Sequence, residues 1–396
     1  MDTNLATPRV RSGRVVIAGG GLAGQRCAEA LRRKGFDGQI TIICAEARRP
    51  YDRPPLSKEL LEQPPLGDAP SFRSVEWYER ESVQLSLGVS ATDLVPGERR
   101  LSLSDGSSLR YDWLVIATGS RPRRLPLLDG YDNVSVLRTL DDCQRLRDAL
   151  AQRPRLAVIG AGFIGQEVAA TARRLGLSVT MIEAAPCPLI GVLGVQLGEW
   201  FERLHREEGV EMLMSRTVDG VSANGTVRAL RLSDHSVVEA DHIVVGVGVE
   251  PDIAWLHDSG LTVDGLIPVD PHGRTAADRV LAIGDAAATF DPLAGRHLPG
   301  SHWEAAGRQG TRAAHVILGL PPGPAPVTSF WTDQYGIRIQ YLGRAHLADS
   351  VQYDGEPDSR SFTATFLRAG RAVAALLVDR PRALPAARKL IEKGTS

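Results

Sequence analysis

Apolar positions along the chain form short β-branched runs separated by amphipathic helical stretches, the pattern of strands and crossover helices in a parallel sheet. Residues 14 to 19 are one such run. Gly19-Gly20-Gly21-Leu22-Ala23-Gly24 follows, then a helical pattern through Arg26 to Lys34 closed by Gly35, then a strand, Ile40 to Cys44, that ends near Glu46. Strand, G-x-G-x-x-G, helix, strand and acid together form a dinucleotide-binding fingerprint in its required context. Gly19 permits a tight turn, Gly21 lets backbone approach a pyrophosphate, and Gly24 lets helix and strand pack closely. Phosphates then face the free N–H groups at the helix N-terminus, and Glu46 accepts hydrogen bonds from ribose hydroxyls.

The same construction recurs 141 residues on. Leu156 to Ile159 leads into Gly160-Ala161-Gly162-Phe163-Ile164-Gly165, a helix through Arg174, Gly176, and a strand from Ser178 to Ile182 ending at Glu183. Asp105-Gly106-Ser107 turns a hairpin ahead of Asp112 to Gly119; Asp234-His235-Ser236 stands 129 residues later, ahead of Asp241 to Gly248. Two nucleotide-binding units of one plan follow, one per dinucleotide. From about Pro326 the pattern changes: Ile337 to Tyr341 alternates as a half-buried strand, Phe362 to Leu367 and Val373 to Val378 flank Ala369-Gly370 as a hairpin, and a last helix covers Ala383 to Lys393. The expected architecture is α/β, two Rossmann-like dinucleotide-binding domains with a C-terminal α+β domain. Its boundaries are a loose tail over 1–12, one nucleotide domain from 13–121 and 249–320, a second over 122–248, and the C-terminal domain over 326–396, with Pro321-Pro322-Gly323-Pro324 as linker.

Composition narrows the function classes. The net charge of −1 and the lack of a basic run argue against nucleic acid. No apolar run is long enough for a bilayer, and the first dozen residues have no h-region, so the cytoplasm is the expected compartment. Cys27, Cys44, Cys143 and Cys187 are widely spaced, and no histidine spacing suits a ligand set, so neither a protein metal site nor a C-x-x-C redox pair is expected. Only four of the 46 basic residues are lysine, which singles out Lys58.

Thr118-Gly119 after a buried strand, and Gly284-Asp285 after Val280 to Ile283, resemble the FAD-contacting motifs of two-dinucleotide flavoprotein reductases. That resemblance places the ADP half of FAD on the first glycine turn and a nicotinamide dinucleotide on the second. Glu183, followed by Ala184, Ala185 and Pro186 without an arginine, favours NADH over NADPH. A helix start at Ala286 to Ala288 is expected behind Asp285.

Tyr51-Asp52-Arg53-Pro54-Pro55-Leu56-Ser57-Lys58 occupies the stretch where glutathione-reductase-like enzymes carry a redox disulfide, and it has no cysteine. It resembles the NADH-dependent ferredoxin reductases of bacterial oxygenase and cytochrome P450 systems, the putidaredoxin reductase and biphenyl-dioxygenase ferredoxin reductase family. The likeness continues through Arg138 to Asp142, Gly162 to Glu167, Leu204 to Val210, Ser301 to Ala306 and Phe330 to Tyr335. It implies an enzyme in which NADH gives a hydride to FAD and single electrons pass to a [2Fe–2S] ferredoxin. The protein is expected to be a monomer or weak dimer.

By the same resemblance Lys58, paired with Glu167, lies beside the flavin, and Trp303 lies against the flavin or nicotinamide face. Arg53, Pro54, Ala23, Ala91, Ala117, Arg138, Ile164 and Gly246 are further cofactor contacts. Arg308, Arg312, Arg338 and Arg344 could steer an acidic iron–sulfur protein. Gly191 stands where the family commonly has arginine, and the chain ends soon after its last helix. Rubredoxin reductase, NADH oxidase or peroxidase, and apoptosis-inducing factor remain as alternatives.

Overall fold

The computed structural model describes residues 12–62, 71–291, 295–299, 303–321 and 327–394. Most of the expected tail, the 322–324 part of the expected linker, and Ser301-His302 lie outside the described residues. The chain divides into two compact units. One contains 1–52, 68–121 and 251–326; the other contains 53–67, 122–250 and 327–396.

The first unit is built on a five-stranded parallel sheet in the order Val280–Ala282, Trp113–Ile116, Arg14–Ala18, Gln39–Cys44, Val83–Leu87. Alternation divides its apolar side chains between two cores. Ile17, Ile42, Val115 and Leu281 pack under the helices Leu22–Arg33 and Trp303–Ile317, while Val16, Ile43, Leu114 and Val280 face the other way. A three-stranded antiparallel meander spans Ala91–Val95, Arg100–Leu103 and Ser108–Arg110.

The second unit repeats the plan. Its parallel sheet runs Glu211–Leu213, Val179–Ile182, Leu156–Ile159, His242–Val245, Val134–Ser135, and its meander spans Val218–Asn224, Thr226–Leu232 and Val237–Glu239. The likeness extends to single atoms. Asp112 accepts from the backbone N–H of Arg14 at 2.7 Å, and Asp241 from that of Arg155 at 2.9 Å. Asp105 and Asp234 each accept from the backbone N–H and hydroxyl of the serine two residues on, making the same Asx turn.

The C-terminal segment folds as a five-stranded antiparallel sheet ordered Ser329–Gln334, Ile337–Gly343, Arg371–Val378, Phe362–Arg368, Ser350–Asp354. Ala369 and Gly370 both take positive φ, as a two-residue hairpin turn requires. One face of the sheet, with Ile339, Tyr341 and Phe362, packs on Trp200, Phe201 and Leu204 of the helix Val195–Glu207 within the same unit. The other face is covered by the helix Leu384–Gly394 through Ile391. No helix among the described residues is long and apolar enough to cross a membrane.

Candidate functional site

In the first unit the three glycines of the first turn have different reasons to be glycine. Gly19 has φ +127°, and a Cβ there would lie 2.0 Å from the Ala117 carbonyl oxygen. A Cβ on Gly24 would lie 2.2 Å from the Gly19 carbonyl oxygen. These two positions are fixed by the protein's own backbone. Gly21 is extended, with φ −81° and ψ −175°, so its conformation suits any residue, and a Cβ there would meet nothing within 4 Å. What glycine supplies at Gly21 is an open face at an uncapped helix N-terminus, a cradle for an anion.

Around this turn the structure collects Ala23, Ala117, Gly284 and the helix Trp303–Ile317. A Cβ added at Gly310 would lie 2.2 Å from the Ala23 carbonyl oxygen, and one at Gly284 3.3 Å from the Ala23 Cβ. Gly284 donates its N–H to Gln309 at 2.6 Å. The Thr118 hydroxyl donates to the Asp252 carbonyl and the Ser120 hydroxyl to Asp285, both at 2.7 Å; Gly119 accepts from the Asp252 N–H. Glu46 accepts from the Tyr51 hydroxyl at 2.6 Å, and the Trp303 indole N–H donates to Asp52 at 2.6 Å. Ala91 opens the first strand of the meander.

One expectation is corrected here. Ala286 to Ala288 does not start a helix: a short 3-10 turn over Gly284–Ala286 leads into the strand Ala287–Asp291, which pairs with Arg296–Pro299. The alanines suit either state, and the cross-strand pairs Thr289–Leu298 and Phe290–His297 decide for the strand.

In the second unit a Cβ at Gly160, φ +100°, would lie 2.5 Å from the Gly246 carbonyl oxygen, and one at Gly165 2.1 Å from that of Gly160. At Gly162 the nearest atom would be 3.9 Å away, and Ile164 beside it is exposed. The open middle glycine is thus reproduced. Glu183 accepts from the N–H of Ala161 at 2.6 Å and of Ala185 at 2.8 Å, which holds its carboxylate at the mouth of the turn. Sequence reading missed Arg216. Its N–H donates to the Glu183 carbonyl, and its guanidinium is tied to Asp234.

The same unit contains a buried ion pair. Lys58 Nζ lies 2.9 Å from Glu167 Oε2, with the side chains 8% and 5% exposed. The 3-10 turn Pro54–Ser57 presents Lys58, whose ammonium also donates to the Pro54 carbonyl at 3.1 Å. An ammonium has three donors, and the third has no partner among the described residues. Glu167 is on the helix Phe163–Arg174, where Thr171 donates to the Ser57 carbonyl at 2.8 Å and clamps the two segments together. Arg53 donates to the Arg138 carbonyl at 2.5 Å, and Arg138 precedes the Thr139–Asp142 capping box of the helix Leu140–Ala151. Gly191 lies on the short helix Ile190–Leu193, where a Cβ would meet nothing within 4 Å. The side chain absent there was not excluded by crowding.

Arg312 is a second correction. It is buried in the first unit and donates to the Pro271 carbonyl at 3.0 Å, so it has no exposed charge with which to steer a partner. Arg308 is paired with Glu304, and Arg338 stands 3.6 Å from Asp333 and over the Trp331 ring.

A family model described as pyridine nucleotide-disulphide oxidoreductase matches residues 13–310. The chain belongs to the pyridine nucleotide-disulphide oxidoreductase family. A second model, reductase C-terminal, matches residues 329–396 of this pyridine nucleotide-disulphide oxidoreductase. The chain is 38% identical to the anthranilate 1,2-dioxygenase system ferredoxin–NAD(+) reductase component of Burkholderia cepacia, over 96% of this chain and 94% of that one. It is 33% identical to putidaredoxin reductase of Pseudomonas putida, over 93% and 89%. The crystal structure of the covalent putidaredoxin reductase–putidaredoxin complex superposes with a TM-score of 0.92 at 32% identity, covering 96% of this chain and 93% of that one.

The disulphide in the family's description has no counterpart here. All four cysteines are free and buried, and burial pushes Cys27 and Cys44 up to about 12 and Cys143 up to about 11. None is poised as a thiolate nucleophile.

Proposed function

We propose that this oxidoreductase is an FAD-dependent NADH:ferredoxin reductase that feeds an oxygenase or a cytochrome P450 through a [2Fe–2S] ferredoxin. The observation that carries the reading is the pair of open glycine cradles, each with its own acidic residue, in a chain without a thiol pair. Both cradles fit a dinucleotide: the middle glycine leaves the helix N-terminus bare, and the flanking glycines admit no side chain. Bound FAD supplies the means to take two electrons as a hydride and release them singly.

The chain's own residues bind and orient. Gly19, Gly21, Gly24, Glu46, Thr118, Gly119, Gly284 and Asp285, with Ala23, Ala91, Ala117 and Trp303, serve the FAD. Gly160, Gly162, Ile164, Gly165, Glu183 and Gly246 serve the NADH. Residues 13–121 with 249–320 are the FAD-binding domain, 122–248 the NADH-binding domain and 326–396 the acceptor-side domain. Lys58, with Arg53, Pro54 and Arg138, serves the flavin; the unassigned N–H of its buried ammonium supports that role. Glu167 pairs with the lysine ammonium and directs it.

The names of two relatives, the ferredoxin–NAD(+) reductases of an anthranilate 1,2-dioxygenase system and of a benzene 1,2-dioxygenase system, support ferredoxin as the acceptor, and we place the protein in the cytoplasm. Cytochrome c reduction by NADH, run with a [2Fe–2S] ferredoxin or with a rubredoxin as the one carrier, tests this. Dependence on the ferredoxin is expected. Turnover with rubredoxin alone would make it a rubredoxin reductase.

A further inference from the structure

The Glu167 carboxylate is the end of a buried file of hydrogen bonds that starts in the C-terminal sheet. The Tyr335 hydroxyl is 2.7 Å from His205 Nδ1, and His205 Nε2 is 3.1 Å from Gln334 Oε1 and 3.2 Å from Gln166 Oε1. Gln334 Nε2 donates to Thr332 Oγ1 at 3.2 Å, and Thr332 Oγ1 donates to Glu167 Oε1 at 2.7 Å. The other carboxylate oxygen accepts from Lys58 at 2.9 Å and from Ser57 at 2.5 Å.

Every member of the file has its direction forced. Gln166 gives its amide N–H to the Ala161 carbonyl at 2.8 Å, so its oxygen faces His205, and two carbonyl oxygens at Nε2 require a proton there. His205 Nδ1 is then left to accept from Tyr335. Burial keeps this imidazole neutral, its pKa pushed down to about 4. Gln334 donates onward, and Thr332, which accepts from it, has its own proton free for the carboxylate. Along the line Tyr335, His205, Gln334 and Thr332 each donor points toward Glu167, the arrangement in which hydrogen bonds polarise one another.

We infer that Thr332, Gln334 and His205 are positioning residues: the C-terminal sheet fixes the Glu167 carboxylate, and through it the Lys58 ammonium, for hydride transfer. This rests on the reading of Lys58 and Glu167 as the pair that serves the flavin. Among the described residues Thr332 is the sole donor to Glu167 Oε1. Without its hydroxyl that oxygen is buried and unpaired, and the carboxylate turns to compete for Lys58.

Thr332→Val keeps the shape and removes the donor. In the FAD-loaded protein it should slow NADH-driven flavin bleaching about tenfold at saturating NADH, about the 1.4 kcal/mol of one charge-assisted hydrogen bond. NADH affinity should not change. The flavin midpoint potential should move in the same direction as in Glu167→Gln. Thr332→Ser should restore both, and Gln334→Leu, one link back, should give a smaller change. A Thr332→Val protein with wild-type rate and potential, or a loss that serine does not repair, overturns the positioning role.

A second readout needs no NADH. In a double-mutant cycle of urea stability, the losses from Thr332→Val and Glu167→Gln should not add. Additive losses overturn the network itself. Wild-type protein that NADH fails to bleach overturns the parent reading and the role in hydride transfer with it, while the cycle still decides whether the file is coupled.

Discussion

Acid should destabilise this protein through one buried histidine. His205 is fully buried, and burial pushes its pKa from 6.5 down to about 4. In the unfolded chain the imidazole returns to its ordinary value. Between these limits the unfolded state binds a proton that the fold does not, so stability is complete above about pH 6.5 and is lost as the pH falls toward 4. From pH 7.5 to pH 5 the loss is about 2 kcal/mol for this one group, from about 1.4 kcal/mol per pH unit. His242, buried beside the Ser135 hydroxyl and also pushed down to about 4, adds a loss of the same sign. Urea denaturation followed by circular dichroism across this range separates the two. His205→Gln lowers stability at every pH but should flatten the curve by about 2 kcal/mol between pH 7.5 and 5. Parallel curves for wild type and variant would refute the argument, because the fold would then be taking up the proton as readily as the unfolded chain.

Removing one member of the Lys58–Glu167 pair should leave the other charge buried without compensation. Lys58→Met and Glu167→Gln should each cost about 3–5 kcal/mol in urea denaturation, and the double variant less than their sum. Gly165→Val drives a side chain against the Gly160 carbonyl and should weaken NADH binding by about 1–3 kcal/mol while FAD absorbance per chain is unchanged, as equilibrium titration will show. Glu183→Gln removes the charge that opposes a 2′-phosphate. The NADPH-to-NADH ratio of kcat/KM should rise about tenfold, within the range for one like-charge contact near a surface.

Much of the fold could be read from the sequence because the glycine turn, its strands and its acid are contiguous and occur twice. A local pattern of that kind fixes φ, close approach and sheet order within some thirty residues. Arg312 could not be read in the same way: it is buried against a segment distant in the chain, and the Pro271 carbonyl to which it donates is 41 residues away. Nor could the fate of 286–288, where small residues left helix and strand equally open and the partner strand decided.

The site was half legible. Lys58 stood out by its rarity and Glu167 by the motif around it, but nothing local says that they touch. Thr332, Gln334, His205 and Gln166 lay within stretches noticed only for their likeness to a family. They converge on one carboxylate from three segments, and that convergence is the physical content of a likeness sequence alone could only register. Arg216 was invisible for the same reason: it reaches Glu183 through a neighbouring strand end rather than along the chain.

The central claim is that one chain holds FAD and NADH in its two cradles and passes a hydride between them. Anaerobic mixing of the purified protein with NADH, followed in the visible spectrum, tests it most directly. The account predicts a yellow protein with one FAD per chain whose flavin absorbance bleaches at saturating rate with NADH and far more slowly with NADPH. A protein that stays colourless when FAD is offered, or whose flavin keeps its oxidised spectrum under excess NADH, would contradict it.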